Sequence, residues 1–182
     1  GTITITVIDG RPQASAATLP AGLVVTTDPS DAAVRDLAAL ADALAPDPLV
    51  DLNTVLATGV LAIRVAPGTD LGATPVHLRL AGSGRPDAAQ PRLLVGVGAG
   101  SRLALVVEHD GSAGVLANAV TQAWVAPDGH LELVRAQCLP DDARLLDTGR
   151  VELAAGASAR VTSIDLGAAL SRQAFTVVLA GP

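Results

Sequence analysis

Four small-residue turns recur along the chain at nearly even spacing: Val65-Ala66-Pro67-Gly68, Val97-Gly98-Ala99-Gly100, Val125-Ala126-Pro127-Asp128-Gly129 and Leu153-Ala154-Ala155-Gly156. Each is followed within a few residues by another extended run. Their glycines fall at 68, 100, 129 and 156, so successive separations are 32, 29 and 27 residues. A quasi-period of this length marks stacked units, none of which can bury its apolar face alone. Each unit reads as strand, small-residue turn, strand and longer loop, about one coil of a parallel β-helix. An antiparallel sandwich also has many short strands with regular turns. Small residues at equivalent turns and a core without aromatic bulk favour the stacked coils.

The strand runs are Leu61 to Val65, Val76 to Leu80, Arg92 to Val97, Leu103 to Val107, Ala119 to Val125, Leu131 to Val134, Val151 to Leu153, Val161 to Ile164 and Phe175 to Leu179. Several alternate cleanly, as in Leu61-Ala62-Ile63-Arg64-Val65, which sends one face inward and the other to solvent. Their core must be built from Val, Leu, Ile and Ala, because the chain has one Trp, one Phe, no Tyr and no Met. With 182 residues and 49% hydrophobic against 16% charged, a packed interior is well supplied. The expected fold is therefore all-β, a parallel β-helix (solenoid) over 59–182, preceded by a small N-terminal α/β segment over 1–58.

In that segment Thr2 to Ile8 alternates Thr with β-branched apolar residues and closes at Asp9-Gly10, a strand and turn. A Pro/Ala/Ser-rich stretch and the short run Leu23-Val24-Val25 follow. After Asp28-Pro29, Ser30 or Asp31 caps a helix with Val34, Leu37, Leu40, Ala41 and Leu44 at helical spacing, ending before Pro46. A second short helix, Leu49 to Ala57, sets Leu49, Leu52, Val55 and Leu56 on one side, with Gly59 as its stop.

A net charge of −6 and dispersed Lys/Arg argue against nucleic acid, and Trp124 and Phe175 stand apart from basic residues. The longest charge-free stretch, Gly111 to Pro127, is broken by Ser112, Asn118, Thr121 and Gln122, so no membrane span is expected. No basic, apolar leader opens the chain, and the cytoplasm is the expected location. The chain starts at Gly1 and contains no Met, which reads as a processed or excised piece. A single cysteine, Cys138, forms no internal disulfide and fits a reducing compartment.

No catalytic or cofactor-binding residue is expected. Gly96-Val97-Gly98-Ala99-Gly100 follows a strand, but Ser101 takes the third glycine position of a dinucleotide loop and Arg102 to Glu108 reads as a strand, so a structural turn is favoured. There is neither a Walker-type loop nor a nucleophile elbow. His77 lies on the polar side of its strand, and Glu108-His109-Asp110 and His130 read as hydrated strand ends and turns. Zinc or cluster sites need several converging thiolates or imidazoles. Cys138 is the weak metal candidate, as one ligand of a site shared at an interface, against the plainer reading of a small buried or semi-buried residue. Asp141-Asp142 with Arg144 makes a charged loop that a carbohydrate-active β-helix could use, although no aromatic platform for sugars accompanies it.

Several pieces in order carry a family likeness. Asp51-Leu52-Asn53-Thr54-Val55-Leu56-Ala57-Thr58, then Val60 to Gly68, then Pro75-Val76-His77-Leu78, are similar to a helix, a strand ending in a Pro-Gly turn and a Pro-[Ile/Val]-His strand of the SufB/SufD family. Gln90 to Val95, Val107-Glu108-His109, Leu116 to Gln122 and Asp165-Leu166-Gly167 to Leu170-Ser171-Arg172 resemble later segments of it. The absence of long insertions and the early Asp9-Gly10-Arg11 tilt the likeness towards the SufD branch. The resemblance implies a right-handed parallel β-helix and a non-catalytic scaffold for iron–sulfur cluster assembly. It also implies SufB-like and SufC-like partners and a cluster held transiently by the whole complex. Contacts with those partners are expected beyond residue 182. Cys138 matches no ligand position of the family, and no functional residue is carried over. The alternatives are a β-helical carbohydrate-active enzyme and a self-assembling structural solenoid, the latter because an open solenoid end favours self-association.

Overall fold

A computed structural model describes residues 1–9, 11–13, 18–28, 30–42, 47–84 and 88–180. In chain order the elements are β1 (Ile3–Ile8), β2 (Arg11–Pro12), β3 (Leu23–Thr26), α1 (Ala32–Asp42), α2 (Pro48–Leu56), β4 (Leu61–Val65), β5 (Asp70–Ala81), β6 (Ala88–Ala89), β7 (Arg92–Val97), β8 (Arg102–Asp110), β9 (Leu116–Val125), β10 (His130–Gln137), β11 (Arg144–Leu153), β12 (Ser158–Asp165) and β13 (Leu170–Leu179). One sheet runs β12-β10-β8-β5-β1-β2 and the other β13-β11-β9-β7-β4-β3, with β6 beside β9. From β4 on, apart from β6, successive strands alternate between the two sheets, and all their pairings are parallel. This is a β-solenoid of about four turns. β1 joins it as a parallel neighbour of β5, while β3 runs antiparallel to β4.

The turns set the repeat. In each, the fourth residue donates its N–H to the first carbonyl: Thr69 to Ala66, Ser101 to Gly98, Gly129 to Ala126 and Ala157 to Ala154, at 3.0–3.3 Å. The third residue has positive φ: 71° at Gly68, 62° at Gly100, 59° at Asp128 and 69° at Gly156. That is the requirement of a type II turn, in which Pro is also favoured at the second position, here Pro67 and Pro127. Gly129 is therefore not the equivalent of the other three glycines. Asp128 holds that place, because a short polar side chain tolerates the left-handed region. Corrected by one residue, the spacing becomes the register of the sheets, with Leu61 opposite Leu93, Arg92 opposite Val120 and Leu116 opposite Arg144. The longer first step has a local cause. β5 places five steps, Leu71 to Val76, against two on β8, Leu103 to Leu105.

Turns also bond to one another. Gly68 N–H donates to Ala99 O (2.9 Å), Gly100 N–H to Pro127 O (3.0 Å) and Asp128 N–H to Ala155 O (3.1 Å). The Ser101 hydroxyl, buried, donates to Ala66 O at 2.7 Å and accepts from Thr69 N–H at 3.2 Å. The glycine-rich 96–100 segment is thus a stacked turn leading into β8, as its sequence suggests.

Alternate residues of both sheets meet inside. Ile5, Val7, Ile63, Val65, Val76, Leu78, Leu93, Val95, Leu103, Leu105, Leu131, Leu133 and Val151 form one aliphatic core without an aromatic centre. Outside, α1 lays Val34 and Leu37 on Ala62 and Leu94. Of its expected apolar face, Leu40 is exposed, and Leu44 and the expected stop before Pro46 lie outside the described residues. The same holds for Gly10, Pro29 and much of the Pro/Ala/Ser-rich stretch.

Helix α2 docks on the side opposite to the one its apolar residues suggest. Of the expected apolar face only Leu49 is half-buried; Leu52, Val55 and Leu56 are exposed, and Asn53 is fully buried. Its Nδ2 donates to Pro91 O (3.2 Å) and Asn118 O (2.8 Å), and Asn118 Nδ2 donates back to Leu49 O (3.0 Å). Buried amides left without partners cost about 1–3 kcal/mol each, so this exchange decides the rotation of the helix. The helix ends at Ala57 in extended conformation, two residues before Gly59.

A methyl group at Gly98 would stand 2.5 Å from Pro67 N and 2.8 Å from Ala66 C, whereas at Gly68 it would meet nothing within 4 Å. Gly98→Ala is expected to destabilise the fold by about 2–3 kcal/mol through forced displacement of backbone. Gly68→Ala loses only about 1 kcal/mol through its positive φ. Urea titrations followed by circular dichroism rank the two.

Candidate functional site

Inward-facing positions are aliphatic near the tight turns and become polar toward the opposite edge of the coils. On β10 the inward series reads Leu131, Leu133, Arg135, Gln137, and on β11 Leu145, Asp147, Gly149, Val151, Leu153. Arg135 and Asp147 are 2% and 1% exposed, and their Nη2 and Oδ2 atoms form an ion pair across the interior from one sheet to the other. His109, at the inward end of β8 and 3% exposed, sets Nε2 3.6 Å from the same carboxylate oxygen. The Arg135 guanidinium lies over the Phe175 ring, 5.3 Å from its centroid, a cation–π arrangement. Gly149 makes the room, since a methyl group there would fall 2.4 Å from the ring and 3.1 Å from Arg135 Nη1.

Burial pushes the Asp147 carboxyl up, but His109 and then Arg135 outweigh it and hold the group below the usual carboxylate range. Gln137 continues the polar edge, donating to Gly167 O (2.8 Å) and accepting from Leu139 N–H (2.9 Å). Beyond it Asp165 accepts from Ser171 (2.5 Å) and Gln173 (2.9 Å). The arrangement can hold charge inside the solenoid; it sets no nucleophile beside a base.

The residues singled out in the sequence are dispersed around this interior. His77 stands on the outer face and meets Glu108 Oε2 at 2.6 Å, and Arg79 Nε donates to Asp110 at 2.9 Å, tying the first coil to the second. Of the run Glu108-His109-Asp110, only the first and third point outward. His109 is buried because strand alternation turns it toward Asp147. His130 Nδ1 lies 2.8 Å from Ser158 Oγ. Cys138 is exposed rather than the small buried or semi-buried residue expected, and its N–H donates to His109 O at 2.9 Å. Asp141 and Asp142 are exposed at the corner before β11, and Arg144 is exposed at its first position. Among the described residues no three His, Cys, Asp or Glu side chains converge as a metal site, and no helix is long and apolar enough to cross a membrane.

Arg135 and Asp147 were not singled out in the sequence, and Asn53 and Asn118 entered as members of the family-like segments 51–58 and 116–122, with no role assigned. For the first two a signal existed, since a charged residue in the inward series of an alternating strand must find a partner. Trp124 is half-buried on the outer face and helps to line an open groove of about 470 Å³ with Leu37, Leu40, Arg64 and Glu152.

Residues 79–182, more than half of the chain, match the family described as SUF system FeS cluster assembly, SufBD core domain. The chain belongs to that family. The match begins within β5 and takes in β8, β10 and β11, which carry His109, Arg135 and Asp147. The motifs at 51–68 and at 75–78 lie before it. No curated protein matches the chain. Membership places this SufBD core domain in SUF iron–sulfur cluster assembly.

Removal of Asp147 strands the Arg135 charge, so Asp147→Ala is expected to destabilise the SufBD core by about 3–5 kcal/mol, and joint Arg135→Met and Asp147→Leu to regain most of it. Because the carboxyl titrates lower folded than unfolded, its contribution is present above the ordinary carboxylate range. It is lost as pH falls through the folded value, giving a steep loss in acid that the double variant lacks. Urea midpoints from neutral to acid pH measure both.

Proposed function

We propose that the chain is the SufD-like scaffold subunit of a cytoplasmic complex with SufB-like and SufC-like subunits, acting by binding partners rather than by catalysis. The observation that carries this reading is the SufBD core match laid along a solenoid with a filled interior. The lean to SufD rests on the absence of long insertions and on the early Asp9-Gly10-Arg11 element. Within it, Asp9 has φ 50° and accepts Ser83 N–H at 2.9 Å, tying the N-terminal strand to the end of β5. A solitary exposed Cys138 fits a subunit that contributes at most one ligand to a cluster completed by others. The cluster is cargo of the whole complex, held transiently.

Self-association of residues 1–182 by themselves is favoured by a separate observation. β12 and β13 are edge strands, and beside them Leu166, Leu170, Val177 and Leu179 are 65%, 48%, 49% and 76% exposed. Open edges carrying apolar side chains recruit further strands.

Co-expression of the full product of the gene with its SufB-like and SufC-like subunits tests the reading, with residues 1–182 alone in parallel. The full product is expected to co-elute with both partners and to yield a cluster only in their presence. Residues 1–182 are expected to remain outside that complex and to sediment as concentration-dependent oligomers. A full product that binds neither partner, or that assembles a cluster unaided, contradicts the proposal.

A further inference from the structure

The two helices are fastened to the solenoid by different forces. Helix α1 places Val34 and Leu37, both buried, in an apolar cluster with Ala62 and Leu94, whereas no residue of α2 belongs to any apolar cluster of the described residues. Within α2 only Asn53 is buried, and only Leu49 and Val50 are half-buried. Leu52, Val55 and Leu56 are already 46%, 80% and 50% exposed with the helix in place, so its release gives up little apolar burial.

What holds α2 is a set of hydrogen bonds. Asn53 Nδ2 donates to Pro91 O (3.2 Å) and Asn118 O (2.8 Å), Asn118 Nδ2 donates to Leu49 O (3.0 Å), and Arg92 Nη1 donates to Thr54 Oγ1. When the helix leaves, water takes over these bonds, and the exchange is close to even; lost apolar burial has no such replacement. On the sheet side, Asn118 Oδ1, Gln122 Nε2 and Thr148 Oγ1 are buried without a hydrogen-bond partner among the described residues, which weakens the docked state further.

We propose that α2 is a strap that lifts from the outer face of β9 while the coils beneath it stay stacked. Its nine residues are too few to persist as an isolated helix in water, so lifting and melting are one event. The coils do not need it: β9 is paired on both sides, to β7 and β11, and its inward Ala123 and Val125 sit in the aliphatic core. Lifting uncovers the Asn118 side chain, 1% exposed when covered, and the Pro91 carbonyl. The strap precedes the matched segment 79–182, and the inference stands independently of the SufD-like reading.

Amide hydrogen exchange of residues 1–182, resolved by residue and repeated in low urea, tests the strap. The amides of Asn53 to Ala57 are expected to be protected, yet to exchange at least about 100-fold faster than those in the middle of β9, at a rate that low urea leaves unchanged. Asn53→Ala is expected to speed exchange in α2 about tenfold further. The same variant is expected to leave β9 exchange and the urea midpoint, read by circular dichroism, as they are. Exchange of α2 in step with β9 and rising with urea would show that the helix opens only with the whole fold and overturns the proposal. So does the absence of any protection in α2, an unchanged α2 rate in Asn53→Ala, or a lowered urea midpoint in that variant.

Discussion

Everything in this protein depends on backbone coils lying in register on one another. A parallel ladder between successive coils demands that each coil spend the same number of residues, or place the surplus where it does not disturb the pairing. Three of the four surplus residues are placed within β5, between Leu71 and Val76, and the ladder resumes at Leu105. The turns meet the same demand at their tips, where a left-handed third residue lets one turn's N–H reach the next turn's carbonyl. Stability here is close to a sum over neighbouring coils, and no single residue organises the whole.

Against that uniform frame the interior changes character along its width. Aliphatic side chains fill the half next to the tight turns, while Arg135, Asp147, His109 and Gln137 occupy part of the other half. A buried ion pair of this kind contributes less by its attraction than by the cost of losing one member. It fixes which coils stand opposite, because a slip by one residue would turn both charges outward. The outer face of the β9 sheet is treated in two ways: α1 covers it with apolar contacts, whereas α2 is fastened by amides and keeps its apolar residues free.

Much of the fold was legible because turn chemistry is local. Pro67-Gly68 and Gly98 to Gly100 announce their turns in any context, and the alternation of Leu61 to Val65 announces its two faces. Asp128 escaped because Gly129 beside it offered the stronger signal, although the position that needs positive φ was occupied by the aspartate. Periodicity failed for α2, since the spacing of Leu52, Val55 and Leu56 says nothing of an asparagine whose partner lies 65 residues away. The polar interior was legible in part: the parity of Arg135 and Asp147 is plain within their strands, but their meeting depends on the stacking of different coils. Family membership was legible from the order of weak motifs, and the match covers those from 79 onward.

Amide hydrogen exchange at Gly68, Gly100 and Asp128 is the most direct test of the stacked-coil account. All three residues are exposed at turn tips, yet each N–H is bonded to a carbonyl of the next coil. Their amides are expected to exchange as slowly as those in the middle of β8 and β9, opening only with the coils themselves. Exchange as fast as in an unstructured peptide would contradict the account.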